Sequence, residues 1–297
     1  MLPLEVVVVW TLYLLDAAAM LVTYSRLPAH ELYNVSGSGL GGGLSRVLVF
    51  SNFSAALVAI AVLLVLLDRL TAPSLRRAAL AGIVLCTPVF WPGVVSEANL
   101  DARPVNAVAC VGVVAALILS VALARRGLSW SPARGDRVRL AAGVAAVLVA
   151  IPWIAAELGL FLDGVPVLGW LFQTGSYHPS SVPSITLVAV HHGHHHGMDG
   201  LLLLLTALLL SRVVPTVRAR GLRLLLGAYL ALMAAYAVGN IANDFWIEQV
   251  WKRGWTTWQV PNVLEPKASV AWGVLVLGAA ALYVLAVRFD SAPREHE

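Results

Sequence analysis

The chain has 297 residues, of which 59% are hydrophobic and 12% charged, with 20 Lys and Arg against 16 Asp and Glu. Ordinary soluble domains carry about 25% charged residues. This balance excludes a disordered chain, which needs low hydrophobicity and high charge. A nucleic-acid binder would need its cations gathered on one accessible face. The long apolar runs point to the bilayer instead.

A membrane-crossing helix takes about 20 mostly apolar residues. Eight segments qualify in chain order: 4–24, 46–67, 78–95, 104–124, 138–162, 190–213, 221–243 and 268–288. The expected fold is one all-α bundle of about eight spans, a single polytopic domain over 1–297. The first span has no Lys or Arg before it and carries Asp16, so it reads as a retained helix and not a signal peptide. The third carries Pro88 and Pro92 and is expected to kink. Cys86 and Cys110 both lie within apolar runs and read as small buried hydrophobes.

Positive charge sets the orientation. Alternate connections, at 68–77, 125–139, 211–223 and the C-terminus, together carry 14 of the 20 cations. Both termini are therefore expected in the cytoplasm of a multi-pass cell-membrane protein. The outer loops are then 25–45, 96–103, 163–189 and 244–267. The basic side holds six anions; the outer side holds six cations, ten anions and seven of the eight histidines. In the last outer loop, Ile247, Trp251, Trp255 and Trp258 would share one face of a helix over 244–258. That pattern predicts a Trp-rich interfacial helix on the outer leaflet.

Five histidines crowd one stretch, His191-His192-Gly193-His194-His195-His196-Gly197-Met198-Asp199-Gly200. Imidazole is the commonest protein ligand of transition metals. Only 11 residues run from Leu201 to Ser211 ahead of Arg212, too few to cross a core of about 30 Å at about 1.5 Å per residue. The helix should therefore start near 190–194 and carry the cluster into the membrane. On it, His191, His192, His195, His196 and Asp199 would fall within an arc of about 140°. The pairs His192/His196 and His195/Asp199 stand four residues apart and would meet at one zinc, copper or iron ion. Gly193, Gly197 and Gly200 would face a neighbouring helix.

Ionisable residues within spans are rare and usually functional. Asp16, Glu157 and Asp244 are placed at comparable depth on the outer side and are expected to act as general base or to orient the ligating imidazoles. Asn52, Asn240, Asn243, Glu97, Asp101, Asn106, His30, Glu31, Tyr177 and His178 are placed on the same side, so one outward-facing polar cavity is expected.

His191-x-x-His194-His195 and His192-x-x-His195-His196 resemble the HxxHH box of membrane fatty-acid desaturases and hydroxylases. Those families use several separated boxes on the cytoplasmic side, whereas this chain has one, on the expected outer side. Polytopic zinc hydrolases of the ceramidase and adiponectin-receptor kind are similar only in placing His and Asp on membrane helices. The last span here carries no His. Gly37-Ser-Gly-Leu-Gly-Gly42 fits GxGxxG, but no strand precedes it, so it reads as a flexible outer loop. Asn34-Val-Ser36 fits a glycosylation sequon.

Two function classes follow. The first is a metal-dependent membrane enzyme acting on a lipid or isoprenoid-like substrate, with membrane lipids and a metal ion as its partners. The second is a copper or zinc transport or binding protein, or a non-catalytic subunit of a membrane complex. A transporter needs polar groups on the cytoplasmic half as well, and there the sixth span reads Leu-Leu-Leu-Leu-Leu-Thr-Ala-Leu-Leu-Leu.

Overall fold

A computed structural model describes residues 1–96, 100–172, 178–179, 186–187, 190–193 and 196–291. The chain is a helical bundle. Its helices are α1 (Leu4–Arg26), α2 (Gly39–Ser51), α3 (Ser54–Arg69), α4 (Pro73–Cys86), α5 (Pro104–Ala124), α6 (Asp136–Val149), α7 (Ile151–Glu157), the single turn α8 (Gly169–Phe172), α9 (His196–Ser211), α10 (Arg220–Trp246) and α11 (Val270–Ser291). Strand is confined to three two-residue pairings among the described residues.

Four stretches are long and apolar enough to cross a membrane: Leu4–Arg26, Pro104–Ala124, Arg220–Trp251 and Val270–Val287. Two bent pairs raise the number to six, α2 with α3 at 45° and α6 with α7 at 62°. Their outward surfaces are apolar, as contact with lipid requires. On α11, Val274 and Leu277 are exposed, and on α5 Val111 and Ile118 are. The several long apolar helices are those of a multi-pass membrane protein.

The two bends have different causes. Pro152 sits at the start of α7, where it lacks a donor and crowds the preceding turn, so the helix breaks at Ala150. No proline marks the break between α2 and α3. There Asn52 N and Phe53 N bond three residues back, to Val49 O and Phe50 O at 3.0 and 3.1 Å. Such bonds tighten the last turn and redirect the chain.

α3 is the central helix. Its residues Ser54 to Leu66 are all buried, as expected of a helix apolar on every side. Helices in lipid gain little from the hydrophobic effect and associate through close packing. Small residues supply it. A β-carbon on Gly112 would stand 2.6 Å from Cys86 Sγ and 2.9 Å from Gly82 O, so α4 and α5 touch nearly backbone to backbone.

Three sequence expectations are corrected. The glycine run is not a loop: α2 starts at Gly39, seven residues before the predicted span. A β-carbon on Gly43 would stand 2.7 Å from Leu21 O of α1, so the glycines allow two helices to approach closely. The predicted start of the sixth span at residue 190 is also wrong, since α9 starts at His196. Nor is 244–258 a separate interfacial helix. α10 runs on to Trp246, continues as a π turn over Ile247–Trp251 and ends before Gly254, whose φ is 75°. Trp255 and Trp258 lie beyond it; Trp258 packs edge-on against Trp246 at 5.2 Å.

The two ends of the bundle differ chemically. At one end Arg212 closes α9 by pairing with Glu5 at 2.9 Å and Asp136 at 2.8 Å, over the Trp130 ring. Arg69 donates to Thr216, and Asp68 accepts from the backbone at Arg218 and Ala219. The connections expected on the cytoplasmic side thus meet each other. The other end holds the polar groups described next.

Candidate functional site

The polar site is built where α1, α2, α3, α7, α9 and α10 converge. α1 and α9 run antiparallel, and each presents a carboxylate 12 residues from the Arg212 end, Asp16 and Asp199. At 1.5 Å per residue both lie about 18 Å from that end. Asp16 is 5% exposed, Glu157 2% and Asp199 1%. Asp16 lies within electrostatic range of Glu157, Asp199 and the Arg46 guanidinium. Arg46, 1% exposed, faces Asp199 and Glu157 in turn and lies 5.9 Å from the Tyr24 ring centre.

Local structure holds these groups in place. Ser54, the first residue of α3, donates through Oγ to Asp199 Oδ1 at 2.6 Å. Thr23 Oγ1 donates to the carbonyl of Glu157 at 2.7 Å, tying α1 to the end of α7. Tyr13 stacks on Phe50, their ring centres 5.6 Å apart, and closes the side facing α2. Burying charge is costly unless it is paired and hydrogen-bonded. The Asp16 Oδ2 atom has no hydrogen-bond partner among the described residues.

A second group adjoins the first. His196 Nε2 donates to Asn243 Oδ1 at 2.7 Å and stands 3.7 Å from Asp244 Oδ1. Asp244 Oδ2 accepts from Gly197 N at 2.8 Å, so this carboxylate caps α9, where the helix dipole favours an anion. Asp244 and His196 both face Asp199 electrostatically. Behind them Trp153 Nε1 donates to Glu248, which the π turn buries. Such π segments recur at functional sites. Lys252, just past the π turn, is buried, which holds its ammonium below the usual lysine range; Glu248 and Asp244 act against the fall.

The predicted residues therefore divide. Asp16 lies within electrostatic range of Glu157 and Asp199, and Asp199 within that of His196 and Asp244. The predicted single arc of His191, His192, His195, His196 and Asp199 does not form. His191 and His192 precede α9, and His192-Gly193 pairs in parallel with Leu32-Tyr33. His192 Nδ1 contacts Ala156 O at 3.4 Å and its ring packs on Phe161, while His196 turns toward α10. The extended pairing at 192–193 takes backbone bonds that a longer α9 would have used. His195, with its predicted partnership to Asp199, lies outside the described residues, as do Glu97 and Tyr177. Among the described residues no three His, Cys, Asp or Glu side chains are grouped to hold a metal ion.

The glycine expectation holds at two positions. A β-carbon on Gly197 would stand 2.5 Å from the Trp153 ring, and one on Gly200 2.8 Å from Ala237 O. The single polar cavity resolves differently. Asp101 bonds Ser36, Asn106 Oδ1 caps Arg103 N, and Asn240 bonds back to Tyr236 O. His30 and Glu31 are exposed side by side. A small recess of about 20 Å³ is lined by Arg46, Asn52, Asp101, Arg103 and Asn106, and Arg46 links it to the carboxylate cluster.

Arg46, Tyr13, Tyr24, Ser54, Trp153 and Glu248 were not expected in the site. Arg46 carried the clearest signal, a cation at the head of an apolar segment with no other charge before Asp68. No protein-family model, curated protein or solved structure matches the chain.

Proposed function

We propose that this chain is a membrane-embedded enzyme that performs acid–base chemistry on a lipid or isoprenoid-like substrate. The observation that carries this reading is the burial of Asp16, Glu157 and Asp199 within electrostatic range of one buried guanidinium, Arg46. Polar clusters at this depth are expensive to maintain, and intramembrane ionisable groups usually serve function. The face toward the Arg212 end is closed by the buried run Ser54–Leu66, which offers no polar path and disfavours a transporter. In this reading the chain crosses the membrane eight times: the four long helices, the two bent pairs, α4 and α9. Both termini and the Arg212 end are cytoplasmic, and the site opens to the outer leaflet.

The test compares lipid extracts of membranes carrying the wild-type chain with those carrying Asp16→Asn, Glu157→Gln or Asp199→Asn. General acid–base groups contribute about 10²–10⁴ in rate. A lipid conversion present with the wild type should fall by about that factor in the variants. Wild-type conversion in all three folded variants would overturn the proposal.

A metal-dependent form of the same enzyme is the second reading, favoured by His196, Asp199 and Asp244 lying in mutual electrostatic range. It predicts stoichiometric zinc, copper or iron in purified protein, lost in both His196→Ala and Asp199→Ala. Activity that survives chelation would favour the metal-free form.

A further inference from the structure

Two hollows share a wall at Phe53, Val95 and Leu264. One is a groove of about 150 Å³ whose lining includes Leu57, Val89, Tyr229, Met233, Tyr236 and Trp272. Its aromatic residues turn their polar atoms away. Tyr229 OH donates to Leu57 O at 2.8 Å, Tyr236 OH to Leu264 O at 2.7 Å, and Trp272 Nε1 to Glu265 O at 3.0 Å. With those donors consumed, the wall offers hydrocarbon and ring faces only.

The other hollow is the recess over Arg46, and its character is opposite. Asn52 and Asn106 contribute amides, and Arg46 and Arg103 guanidiniums. Asn52 is 2% exposed, and its Oδ1 has no hydrogen-bond partner among the described residues. A buried amide oxygen left unmet costs about 1–3 kcal/mol. A ligand group at the recess would recover it. Phe53 divides the hollows from the break between α2 and α3, edge-on to Tyr236 at 6.3 Å.

An apolar hollow does not hold water well, and this one, at about 150 Å³, has room for a hydrocarbon chain and no more. We infer that the two hollows form one binding site for a single-chain amphipathic lipid. Its hydrocarbon chain lies in the groove along α3 and α10, and its hydrogen-bonding head lies in the recess against Asn52 and Arg46. The inference rests on the carboxylate–Arg46 cluster being the reaction centre, because Arg46 is the side chain shared by head site and cluster. It sharpens the substrate class to one chain with a small polar head. Phe53 then sets the boundary between chain and head.

The test is native mass spectrometry of the full-length protein in detergent. Palmitate, a palmitoyl lysophospholipid, geranylgeraniol and a two-chain phosphatidylcholine are offered in turn. At least one single-chain probe should be retained one to one, and phosphatidylcholine should not. Met233→Trp fills the groove and should weaken retention about tenfold. Val276→Trp, on the lipid-facing side of α11, should leave it unchanged. Leu57→Phe repeats the groove test should Met233→Trp fail to fold. Asn52→Leu should weaken retention of the headed probes.

Equal retention in wild type and both groove variants would overturn the inference, as would retention of phosphatidylcholine alone or of many lipids without stoichiometry. Asp199→Asn separates the two proposals. It should keep the lipid and lose the conversion. Conversion lost with no stoichiometric lipid in any protein would sink the groove and leave the cluster standing. Lipid bound with conversion intact in the carboxylate variants would do the reverse.

Discussion

Ser54 and Asp199 show how much rests on single groups in this interior. The Ser54 hydroxyl donates to a carboxylate that is 1% exposed. Removing a donor to a buried charged group costs about 1–3 kcal/mol, because nothing replaces the lost bond. Ser54→Ala should therefore lower stability in detergent by about that amount, read as a lower thermal midpoint, and Ser54→Thr should restore most of it. An unchanged midpoint in Ser54→Ala would mean that another donor serves Asp199. The residue scale also shows where sequence reading stopped. Asp16, Glu157 and Asp244 could be flagged because ionisable groups within spans are rare, and Asp199 because it closes the histidine-rich stretch. Ser54 could not, since a serine in a span is ordinary and only its partner makes it part of a site.

At the scale of elements, small residues set how close helices come. Gly112 faces Cys86 and the backbone of Gly82, leaving no space for a side chain. Gly112→Ala should destabilise by about 1–3 kcal/mol through overpacking. Gly278→Ala, where a β-carbon would meet nothing within 4 Å, should be neutral or mildly stabilising through the better helix propensity of alanine. Denaturation of the two variants side by side would check this; equal stability would contradict the close contact. Helix bounds were legible where composition alone decides them. α5 matches its predicted span residue for residue, and α1 exceeds its own by two at the C-terminus. They were illegible where contacts decide. The start of α2 depends on Gly43 meeting α1, and the start of α9 on the pairing of His192 with Leu32.

For the whole molecule, the two ends carry different chemistry, and that difference gives a direct test of orientation. Ser131 lies at the Arg212 end and Thr257 beyond the π turn, both exposed. In a chain with Cys86 and Cys110 replaced, a cysteine at 257 should react with an impermeant thiol reagent in intact cells. A cysteine at 131 should react only after permeabilisation. The opposite pattern would invert the orientation that positive charge predicts. The Arg212 cluster joins the starts of α1 and α6 to the end of α9. Arg212→Ala leaves the buried Glu5 without its cation and Asp136 with Arg139 alone, so it should cost more than Arg76→Ala in the exposed first turn of α4. Comparable midpoints would place the end-to-end strength elsewhere.

The sequence by itself determined the solvent of this protein, its helical class, its charge asymmetry and the rarity of Asp16, Glu157 and Asp244. Each is a property of composition along one chain, and a bilayer reads composition directly: apolar length inserts, and stray charge stands out. Tertiary structure decided which polar groups meet. It drew Arg46 into the carboxylates, sent His192 and His196 to different neighbours, and set Phe53 between a hydrocarbon groove and a hydrogen-bonding recess. Those outcomes depend on where α2, α7 and α9 begin and end. Close packing and backbone pairing between distant segments set those points, and no local periodicity encodes them.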